Sequence, residues 1–244
     1  DNGSNGAQNE FIFALNFDGL NSQTYGGSTF LVHAAVGGSM SPNDFGVNGG
    51  WGGLRTTSAL VGKMAANDKR AMFYSNGQSL EISNIRRFTD GYAVTKFKNV
   101  TSTGQRGRDA SGNFVDTDVP LIRLSEIYLN YAEATLRGGN GSLTEALNRI
   151  NQIRARAYGN TTGNIASSAL TLNFVLDERA RELFWEGQRR TDLVRYNHFT
   201  TNTYLWPFKG NAPSGSAVGN FRNLFPIPSN TLQVNSNLTQ NPGY

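Results

Sequence analysis

The chain contains no cysteine, which excludes disulfide bonds, thiol nucleophiles and thiolate metal ligands. Histidine is scarce as well, because His33 and His198 are the only two and lie far apart in the sequence. Neither histidine is accompanied by the GxSxG motif of a serine hydrolase, and the HExxH motif of zinc proteases is missing. The sequence therefore disfavours both a nucleophilic hydrolase and a zinc enzyme.

Long apolar runs and clusters of basic residues are also missing. No apolar stretch approaches the ~20 residues that a membrane-spanning helix needs. The formal net charge of +4 is small for 244 residues, and the basic residues alternate with acidic ones. This distribution argues against nucleic-acid binding. The glycine-rich stretch GVNGGWGG follows no βαβ pattern, so dinucleotide binding is not indicated.

The second half of the chain has the periodicity of helical hairpins. Apolar residues recur three and four positions apart from Leu121 onward, which predicts an amphipathic helix. Ser142 and Glu145 form a capping box for a second helix, which ends before Gly159. Two such helices joined by a short polar turn form an αα-hairpin, and their spacing loosely matches the tetratricopeptide repeat.

A third helix is predicted from Thr171, which has the chemistry of an N-terminal cap. One face of this helix is apolar and the opposite face is densely charged. The charged residues lie three or four positions apart in the pairs Asp177/Arg181, Glu186/Arg190 and Asp192/Arg195. We interpret them as a solvated or ion-paired helix face and not as a catalytic carboxylate cluster.

The first 120 residues contain less regular structure. From Phe11 to Phe17 the large apolar side chains recur at every second position and alternate with Ile12, Ala14 and Asn16, which predicts a strand. Residues 54–64 are predicted to form a short helix, and residues 68–74 and 92–99 are predicted to form strands or short extended segments. Residues 21–53 and 197–223 have the composition of long loops. The tail after them is predicted to be extended, because Pro226 and Pro228 flank Ile227.

One helical hairpin cannot bury its own apolar face, and three or more repeats are normally needed. This chain has about one and a half. We therefore divide it into a loop-rich subdomain, residues 1–120, and a helical region with an extended tail, residues 121–244. We also expect the N-terminal half of a longer protein to be absent from it.

Aromatic residues lie in both long loops among glycine, serine and asparagine. A sugar presents apolar C–H faces surrounded by hydroxyl groups, so an aromatic ring can lie against the face while amides bond the hydroxyls. We therefore predict one ligand-binding surface before residue 54 and another within residues 197–223. The candidate residues are Tyr25, Asn43, Phe45, Asn48 and Trp51 in the first surface, and Tyr204 and Trp206 in the second.

Two of these assignments have a structural alternative. Trp51 in the block WGGLRTT could be a buried packing residue, and Trp206 beside Pro207 could be buried as readily as it could bind a ligand. Trp185, on the charged helix, is interpreted as structural.

The turn-rich segment before the helices contains three aspartates. Asp109, Asp116 and Asp118 could supply oxygen ligands to a structural calcium ion, although EF-hand spacing is missing. Their more common role is to stabilise turns, and this interpretation is favoured here. No other cofactor is expected.

Four sequence blocks resemble one family. They are DVPLIRLSEIYLNYAEA from Asp118, ALNRINQIRARAYG from Ala146, ERARELFWEGQRRTDLVRY from Glu178 and LFPIPSNTLQVNSNLTQNPGY from Leu224. Their identity and order resemble the SusD/RagB family of outer-membrane, nutrient-binding lipoproteins of Bacteroidetes. The resemblance covers residues 118–244 well and the preceding residues more loosely.

The resemblance implies a mainly α fold, in which tetratricopeptide-like hairpins of an α–α superhelix support a loop-rich subdomain with a few short strands. It implies capture of polysaccharides or oligosaccharides at the cell surface without catalysis, for uptake through a SusC-like TonB-dependent transporter. The RagB branch of the family makes peptide capture the alternative, with a glycan-active enzyme a weaker one. The resemblance implies attachment to the outer membrane only through an N-terminal lipid anchor, which we expect to be absent from this chain.

Overall fold

The computed structural model describes residues 9–244. Residue contacts group the chain into two compact units, one ending at Gly187 and the other spanning Gln188–Tyr244. The division at residue 120 into a loop-rich subdomain and a helical region stays a prediction.

Three helices form the scaffold of the first unit. They are α3 (Leu124–Leu136), α4 (Leu143–Tyr158) and α5 (Leu172–Leu183). Both N-terminal caps are confirmed, because the hydroxyl of Ser142 accepts the Glu145 N–H and that of Thr171 accepts the Phe174 N–H. The reciprocal half of the predicted capping box is wrong, because the Ser142 N–H donates to the Tyr131 hydroxyl and the Glu145 carboxylate pairs with Arg149. The apolar faces of the three helices meet in one core, which includes Leu129, Ile150, Ile153, Val175 and Leu183.

Two short antiparallel ribbons belong to the same unit. Strand β1 (Phe11–Leu15), predicted from its alternation, pairs with β4 (Val119–Arg123). Strand β2 (Phe73–Tyr74) pairs with β3 (Ala93–Val94). The sequence prediction that a helix begins at Leu121 is wrong, because β4 occupies Val119–Arg123 and α3 begins only after it. The β4 residues continue the helical spacing of apolar residues, so periodicity alone does not reveal the boundary.

A second core lies beneath the loop-rich part of the first unit. Helix α1 (Gly27–Ala34) and a 3-10 turn (Pro42–Phe45) lie within the segment that was predicted to be a loop. Helix α2 (Ser58–Val61) confirms that a helix occurs in residues 54–64, but it has only 4 residues and is shorter than predicted. The buried residues of this core include Val32, Val36, Phe45, Val47 and Val115.

The second unit contains less regular structure. Helix α6 spans Arg189–Arg195, and α7 spans Ser229–Val234. Short 3-10 turns at Lys209–Asn211 and Asn220–Asn223 lie between them. The sequence predicted an extended C-terminal tail. This prediction is wrong for Ser229–Val234, which form helix α7.

A buried network of ion pairs joins α5 to distant parts of the first unit. The carboxylate of Glu178, which is fully buried, pairs with Arg70 at 2.8 Å, Arg154 at 2.7 Å and Arg181 at 2.8 Å. Arg70 also pairs with buried Asp68 at 2.7 Å. Because each charge has an opposite charge beside it, the network avoids the large cost of an isolated buried ion.

Glu182 extends the network by one helical turn. Its carboxylate lies 2.6 Å from the guanidinium of Arg123, at the end of β4, and also bonds Arg156 of α4. Arg123 in turn pairs with Glu186 at 2.7 Å, and Glu186 contacts Lys96. The ion-paired interpretation of this helix face is thus confirmed, but most partners differ from the predicted neighbours.

Two of the predicted local pairs are wrong. Asp177 pairs with Lys63 at 2.6 Å, and Arg181 pairs with Glu178 at 2.8 Å. In the second unit Arg190 donates to main-chain carbonyl oxygens of residues 222 and 223. The predicted pair of Asp192 with Arg195 is confirmed at 2.7 Å.

Within residues 9–244, every helix is too short or too polar to span a lipid bilayer.

Replacing Glu178 with glutamine is expected to lower the free energy of unfolding by about 3–5 kcal/mol, because three guanidinium groups would lose their shared buried carboxylate. Urea denaturation followed by circular dichroism measures the change. Glu145→Gln is the matched control: its pair with Arg149 is partly exposed, so a loss below about 1 kcal/mol is expected. Equal losses in the two variants would contradict the importance of the buried network.

Acid is expected to destabilise the fold through Glu182. Burial by itself raises the pKa of Glu182, but the charges of Arg123, Arg156 and Arg70 outweigh it and hold the pKa well below the ordinary value of 4.5. A carboxyl group with a depressed pKa stabilises the fold above its unfolded pKa, and this contribution is lost as the pH falls toward the folded pKa.

The free energies of unfolding of wild type and Glu182→Gln should therefore differ by an amount that depends on pH. The difference in their free energies of unfolding should be widest near neutral pH and should narrow below about pH 4.5. Urea denaturation at several pH values measures it, and a gap that stays constant down to about pH 3 would refute the assignment.

Candidate functional site

The loop from Gly46 to Gly53 is held against α1 by main-chain hydrogen bonds. The N–H of Trp51 donates to the carbonyl of His33 at 2.8 Å, and the N–H of Gly52 donates to that of Val36 at 2.9 Å. Gly50 approaches the same main chain so closely that an added Cβ would lie 2.2 Å from the Val36 carbonyl oxygen. The loop therefore needs glycine where it meets the helix, and this close contact fixes the position of Trp51.

Trp51 lies at the centre of a group of aromatic rings. Its side chain is 46% exposed, and the neighbouring rings of Tyr25 and Phe30 are 62% and 44% exposed. The ring centroids of Tyr25 and Phe30 lie 6.3 Å and 6.1 Å from that of Trp51. We call Tyr25, Phe30 and Trp51 the aromatic platform. The prediction that Tyr25 and Trp51 share one surface agrees with this geometry, and Phe30 is an addition.

His33 lies underneath the platform. Its ring stacks on Trp51 with a centroid distance of 4.8 Å and an interplanar angle of 17°. The side chain is buried, with Nδ1 2.8 Å from the carbonyl oxygen of Gly49 and Nε2 3.0 Å from that of Asn113. His33 thus connects α1 to the Trp51 loop and to the segment that contains Asn113.

Amide groups border the platform. The Nδ2 of Asn48 donates to the Oδ1 of Asn113 at 2.6 Å, and the next residue, Phe114, places its ring 4.9 Å from that of Tyr25. Both amides keep a further donor or acceptor for a ligand. Asn48 was among the predicted residues, whereas Asn113 and Phe114 were not.

Phe45 must be removed from the predicted ligand-binding group. It is only 4% exposed and packs in the second core, and the ammonium of Lys98 lies 4.6 Å from its ring centroid. Its position among polar residues hid the fact that the 3-10 turn directs it inward. Asn43 is exposed in that same turn, where its carbonyl accepts the Gly46 N–H. The ligand-binding role of Asn43 stays a prediction.

The second unit contains another aromatic cluster. The ring of Tyr204 stacks on that of His198 at 4.9 Å, and Trp206 stacks on Phe199 at 6.2 Å. Tyr204 and Trp206 are both partly buried, so the structure gives each a packing role and leaves part of its surface to solvent. Their role in binding stays a prediction.

Lys209 holds this second cluster together. Its buried ammonium donates to the main-chain carbonyls of His198 at 3.0 Å, Tyr204 at 2.7 Å and Thr201, and lies 4.5 Å from the Trp206 ring centroid. Burial lowers the pKa of Lys209 from its ordinary value. The ammonium of Lys209 therefore links main-chain carbonyls from residue 198 to residue 204.

The three aspartates proposed as calcium ligands bind main-chain groups. Asp109 accepts the N–H groups of Ser111 and Phe114 at 2.9 Å each. Asp116 accepts the Gly19 N–H at 2.7 Å, and Asp118 accepts that of Phe17 at 2.8 Å. In the described part of the chain, no three histidine, cysteine, aspartate or glutamate side chains converge as metal ligands would.

A groove of about 870 Å³ lies beside the ion network in the first unit. Its charged lining includes Arg123, Glu182 and Glu186, which already pair with one another. The groove therefore offers a ligand fewer uncommitted polar groups than the border of the aromatic platform. We take the platform as the candidate site.

The first unit thus combines a helical scaffold with an exposed platform of aromatic rings bordered by amides, an arrangement suited to stacking and hydrogen bonding with a ligand. The SusD family model matches residues 64–244. The chain belongs to the SusD family, as its four sequence blocks suggested.

Similar proteins agree with this assignment. The starch-binding protein SusD of Bacteroides thetaiotaomicron is 34% identical over 285 residues, covering 98% of this chain and 50% of the relative. Surface glycan-binding protein A of Bacteroides fluxus has a TM-score of 0.70 at 23% identity, over 96% of this chain and 51% of that chain. The corresponding protein of Bacteroides thetaiotaomicron, solved with laminarihexaose, has a TM-score of 0.63 at 20% identity, over 95% and 52% of the two chains.

These comparisons show the mainly helical SusD-like fold that the sequence predicted. The chain spans about half the length of these relatives.

Replacing Lys209 with methionine is expected to loosen the second aromatic cluster, because the aliphatic stem stays while three carbonyl oxygens lose their charged donor. Hydrogen bonds to charged groups contribute roughly 1.5–3 kcal/mol each, so amide hydrogen exchange in residues 198–211 should accelerate at least about tenfold. Lys63→Met, which removes a lysine of the first unit, should leave exchange in this segment unchanged. Unchanged exchange in Lys209→Met would contradict the proposed role.

Proposed function

We propose that this protein captures glycans at the cell surface without chemical change. The observation that carries the proposal is the exposure of Trp51: an indole that is nearly half exposed is fixed by a rigid glycine loop, with Tyr25 and Phe30 beside it. Large exposed aromatic side chains that share one surface are unusual on a soluble domain unless they bind a ligand.

The platform suits a sugar chain. The outer face of Trp51 can accept the C–H face of one pyranose ring, and Tyr25 or Phe30 that of a neighbouring ring. The amides of Asn48 and Asn113 can then exchange hydrogen bonds with the ring hydroxyls. Because the rings are held in place before binding, little side-chain entropy is lost when the ligand arrives.

Relatives support the choice of a glycan over a peptide. One relative is named for starch binding, and a structural neighbour was solved with laminarihexaose. The ligand of this chain is therefore proposed to be a polysaccharide or oligosaccharide. An affinity in the micromolar to millimolar range, about −8 to −4 kcal/mol, would retain the sugar and still allow its release.

The proposed role is binding and not catalysis. The platform presents rings and amides, whereas glycoside hydrolysis requires two carboxyl groups about 5–9.5 Å apart across the scissile bond. The two relatives named above are likewise described by what they bind.

The proposed location is the outer-membrane surface, where the complete protein would be held by a lipid anchor. There it would pass its glycan to a SusC-like TonB-dependent transporter. Both proposals rest on membership of the SusD family.

Trp51→Ala is expected to weaken binding to neutral glucans. Truncation of a central aromatic residue commonly costs 2 kcal/mol or more, which corresponds to a dissociation constant about 30-fold higher. Isothermal titration with maltoheptaose and with laminarihexaose measures the loss. Circular dichroism on the same samples confirms that the variant is folded.

Phe13→Ala provides the matched control, because Phe13 is 57% exposed in the same unit but lies in β1, outside the platform. Its affinity should equal that of wild type. Saturable heat with oligopeptides and none with any glycan would refute glycan capture, and product formation during incubation with a glycan would refute the absence of catalysis.

A further inference from the structure

We propose that Arg106, together with Asn113, forms a subsite at the edge of the aromatic platform that binds an anionic group of the glycan, such as the carboxylate of a uronic acid. This inference rests on the proposed function, because it names the class of glycan that the platform takes. The aromatic rings would hold the apolar face of a sugar, and the subsite would hold the negative charge that the sugar carries.

Arg106 lies beside the amide border of the platform. A Cβ atom added to Gly112 would lie 2.6 Å from Nη2 of Arg106 and 2.9 Å from the main-chain nitrogen of Asn48. The N–H of Asn48 also donates to the carbonyl of Gly112 at 3.1 Å. The guanidinium group is therefore in contact with the main chain of Gly112, between the Trp51 loop and the residue that precedes Asn113.

The local backbone fixes Arg106 in this place. Arg106 pairs with Val100 in an antiparallel bridge, and the N–H of the next residue, Gly107, donates to the carbonyl of Asn99 at 3.0 Å. Gly112 has a φ of +70°, a conformation that glycine adopts readily, and it carries no side chain. Any larger residue at position 112 would occupy the space that the guanidinium fills.

The donors of Arg106 are uncommitted. A guanidinium has five N–H donors and no acceptor. Among residues 9–244, no carboxylate or carbonyl oxygen pairs with the Arg106 side chain, which is exposed. Arg108, only two positions further on, pairs with Asp18 at 3.0 Å and with Asp116 at 3.2 Å. Arg106 thus differs from its neighbour in having its charge available to a ligand.

The closest acidic residue along the chain, Asp109, does not neutralise Arg106. Its carboxylate accepts the N–H groups of Ser111 at 2.9 Å, Asn113 at 3.1 Å and Phe114 at 2.9 Å, and also the hydroxyl of Ser111 at 2.8 Å. These bonds commit both oxygens of Asp109 to the turn that positions Asn113. The same carboxylate therefore organises the subsite without occupying the guanidinium.

The platform has no charge of its own. Residues 25–34, 46–53 and 110–115, which form it and its amide border, contain no aspartate, glutamate, lysine or arginine. A neutral surface of rings and amides has little means of selecting a ligand by its charge. The guanidinium of Arg106 therefore supplies the charge by which this border can distinguish an anionic sugar from a neutral one.

The amide next to Arg106 adds further donors. The Oδ1 of Asn113 accepts the bond from Asn48 at 2.6 Å, so the NH2 group of Asn113 stays available to donate. A carboxylate only accepts hydrogen bonds and can take two parallel bonds from one guanidinium. A sugar hydroxyl both donates and accepts, so it would use this group of donors less completely. The chemistry of the subsite matches an anionic oxygen pair.

An acidic sugar can use the platform and the subsite together. A uronic acid keeps the apolar C–H faces of a neutral pyranose and carries a carboxylate at the edge of the ring. Its face can stack on the ring of Trp51 while the carboxylate meets donors at the border. A sulfate ester offers the same anionic oxygens, so carboxylated and sulfated glycans share this chemistry, and the binding test distinguishes them.

The first test compares ligands that share one backbone. Laminarihexaose is neutral, oxidation of its C6 hydroxymethyl groups gives carboxylates, and sulfation of the same positions gives sulfate esters. Isothermal titration at low ionic strength should show about fivefold tighter binding of one anionic form than of the neutral form, the effect of a good exposed ion pair. The form that binds more tightly identifies the anion. The same three forms of maltoheptaose extend the test to a second glucan linkage.

Salt provides an internal check on the cause of this preference. Because the proposed ion pair is exposed, raising the ionic strength toward about 1 M should remove most of the preference while leaving the affinity for the neutral form nearly unchanged. Equal affinity for the neutral and both anionic forms at low ionic strength would overturn the proposal.

Arg106→Gln is the critical variant, because glutamine keeps a donor but removes the charge. It should bind the neutral and anionic forms with equal affinity. Lys69→Gln is the matched control: it lowers the net charge by the same amount, but Lys69 is exposed beside the end of α4, where its N–H donates to the carbonyl of Ala157 at 3.0 Å. This control should keep the preference of wild type. A preference that persists in Arg106→Gln would overturn the proposal.

These results also separate the subsite from glycan capture itself. Binding of the neutral glucans that depends on Trp51, without any preference for their anionic forms, would leave glycan capture intact and overturn only the subsite. If none of the six ligands binds, both glycan capture by this chain and the subsite that rests on it are overturned. Circular dichroism of each variant checks that it is folded.

Discussion

The shared burial of Glu178 and Glu182 constrains the rest of the first unit. Two carboxylates one helical turn apart cannot leave water unless cations meet them, and those cations come from several separate segments. Arg70 belongs to the loop-rich part, Arg123 to the end of β4, and Arg154 and Arg156 to α4. The register of α5 against these segments is therefore set by charge as well as by apolar packing. A shift of one residue along the helix would leave several buried ions without partners.

A second packed core explains how a glycine-rich segment can carry a rigid site. Ordering a flexible backbone costs about 1–2 kcal/mol per residue, so a loop such as Gly46–Gly53 stays in one conformation only if its surroundings are already fixed. Val32, Val36 and Val115 supply a packed base, and main-chain hydrogen bonds join the loop to α1. The aromatic platform thus depends on a scaffold whose stability comes from elsewhere in the unit.

Local signals predicted much of the scaffold. The start of α4 was correct because Ser142 and Glu145 are close in sequence and their chemistry is specific to a helix start. Strand β4 was missed because its apolar residues continue the helical spacing, and α1 was missed because it begins in a glycine-rich segment. The partners of Glu178 and Glu182 could not be predicted, since Arg70 lies 108 positions from Glu178.

The candidate site, like the scaffold, could be predicted from the sequence only in part. Tyr25 and Trp51 occur in one segment that was predicted to be a long loop, and they were placed together from composition. His33 and Asn113 are 80 positions apart, and only the folded chain brings them into contact. Phe45 was misplaced because an aromatic residue among polar neighbours gives no indication of which side it faces. The sequence thus indicated that the platform consists of aromatic rings and amides, whereas only the folded structure shows which of these residues are neighbours.

The close contacts of the Trp51 loop restrict how its specificity could diversify. A side chain at Gly46 would lie 2.1 Å from the Asn99 carbonyl oxygen, and one at Gly50 would lie 2.2 Å from that of Val36. Substitution at either position would disturb the backbone before it altered the ligand surface. Asn48 and Trp51, by contrast, point outward from the same loop and are exposed. A library designed to change ligand preference should therefore randomise these two outward positions together with Tyr25 and Phe30, and should keep Gly46 and Gly50 constant.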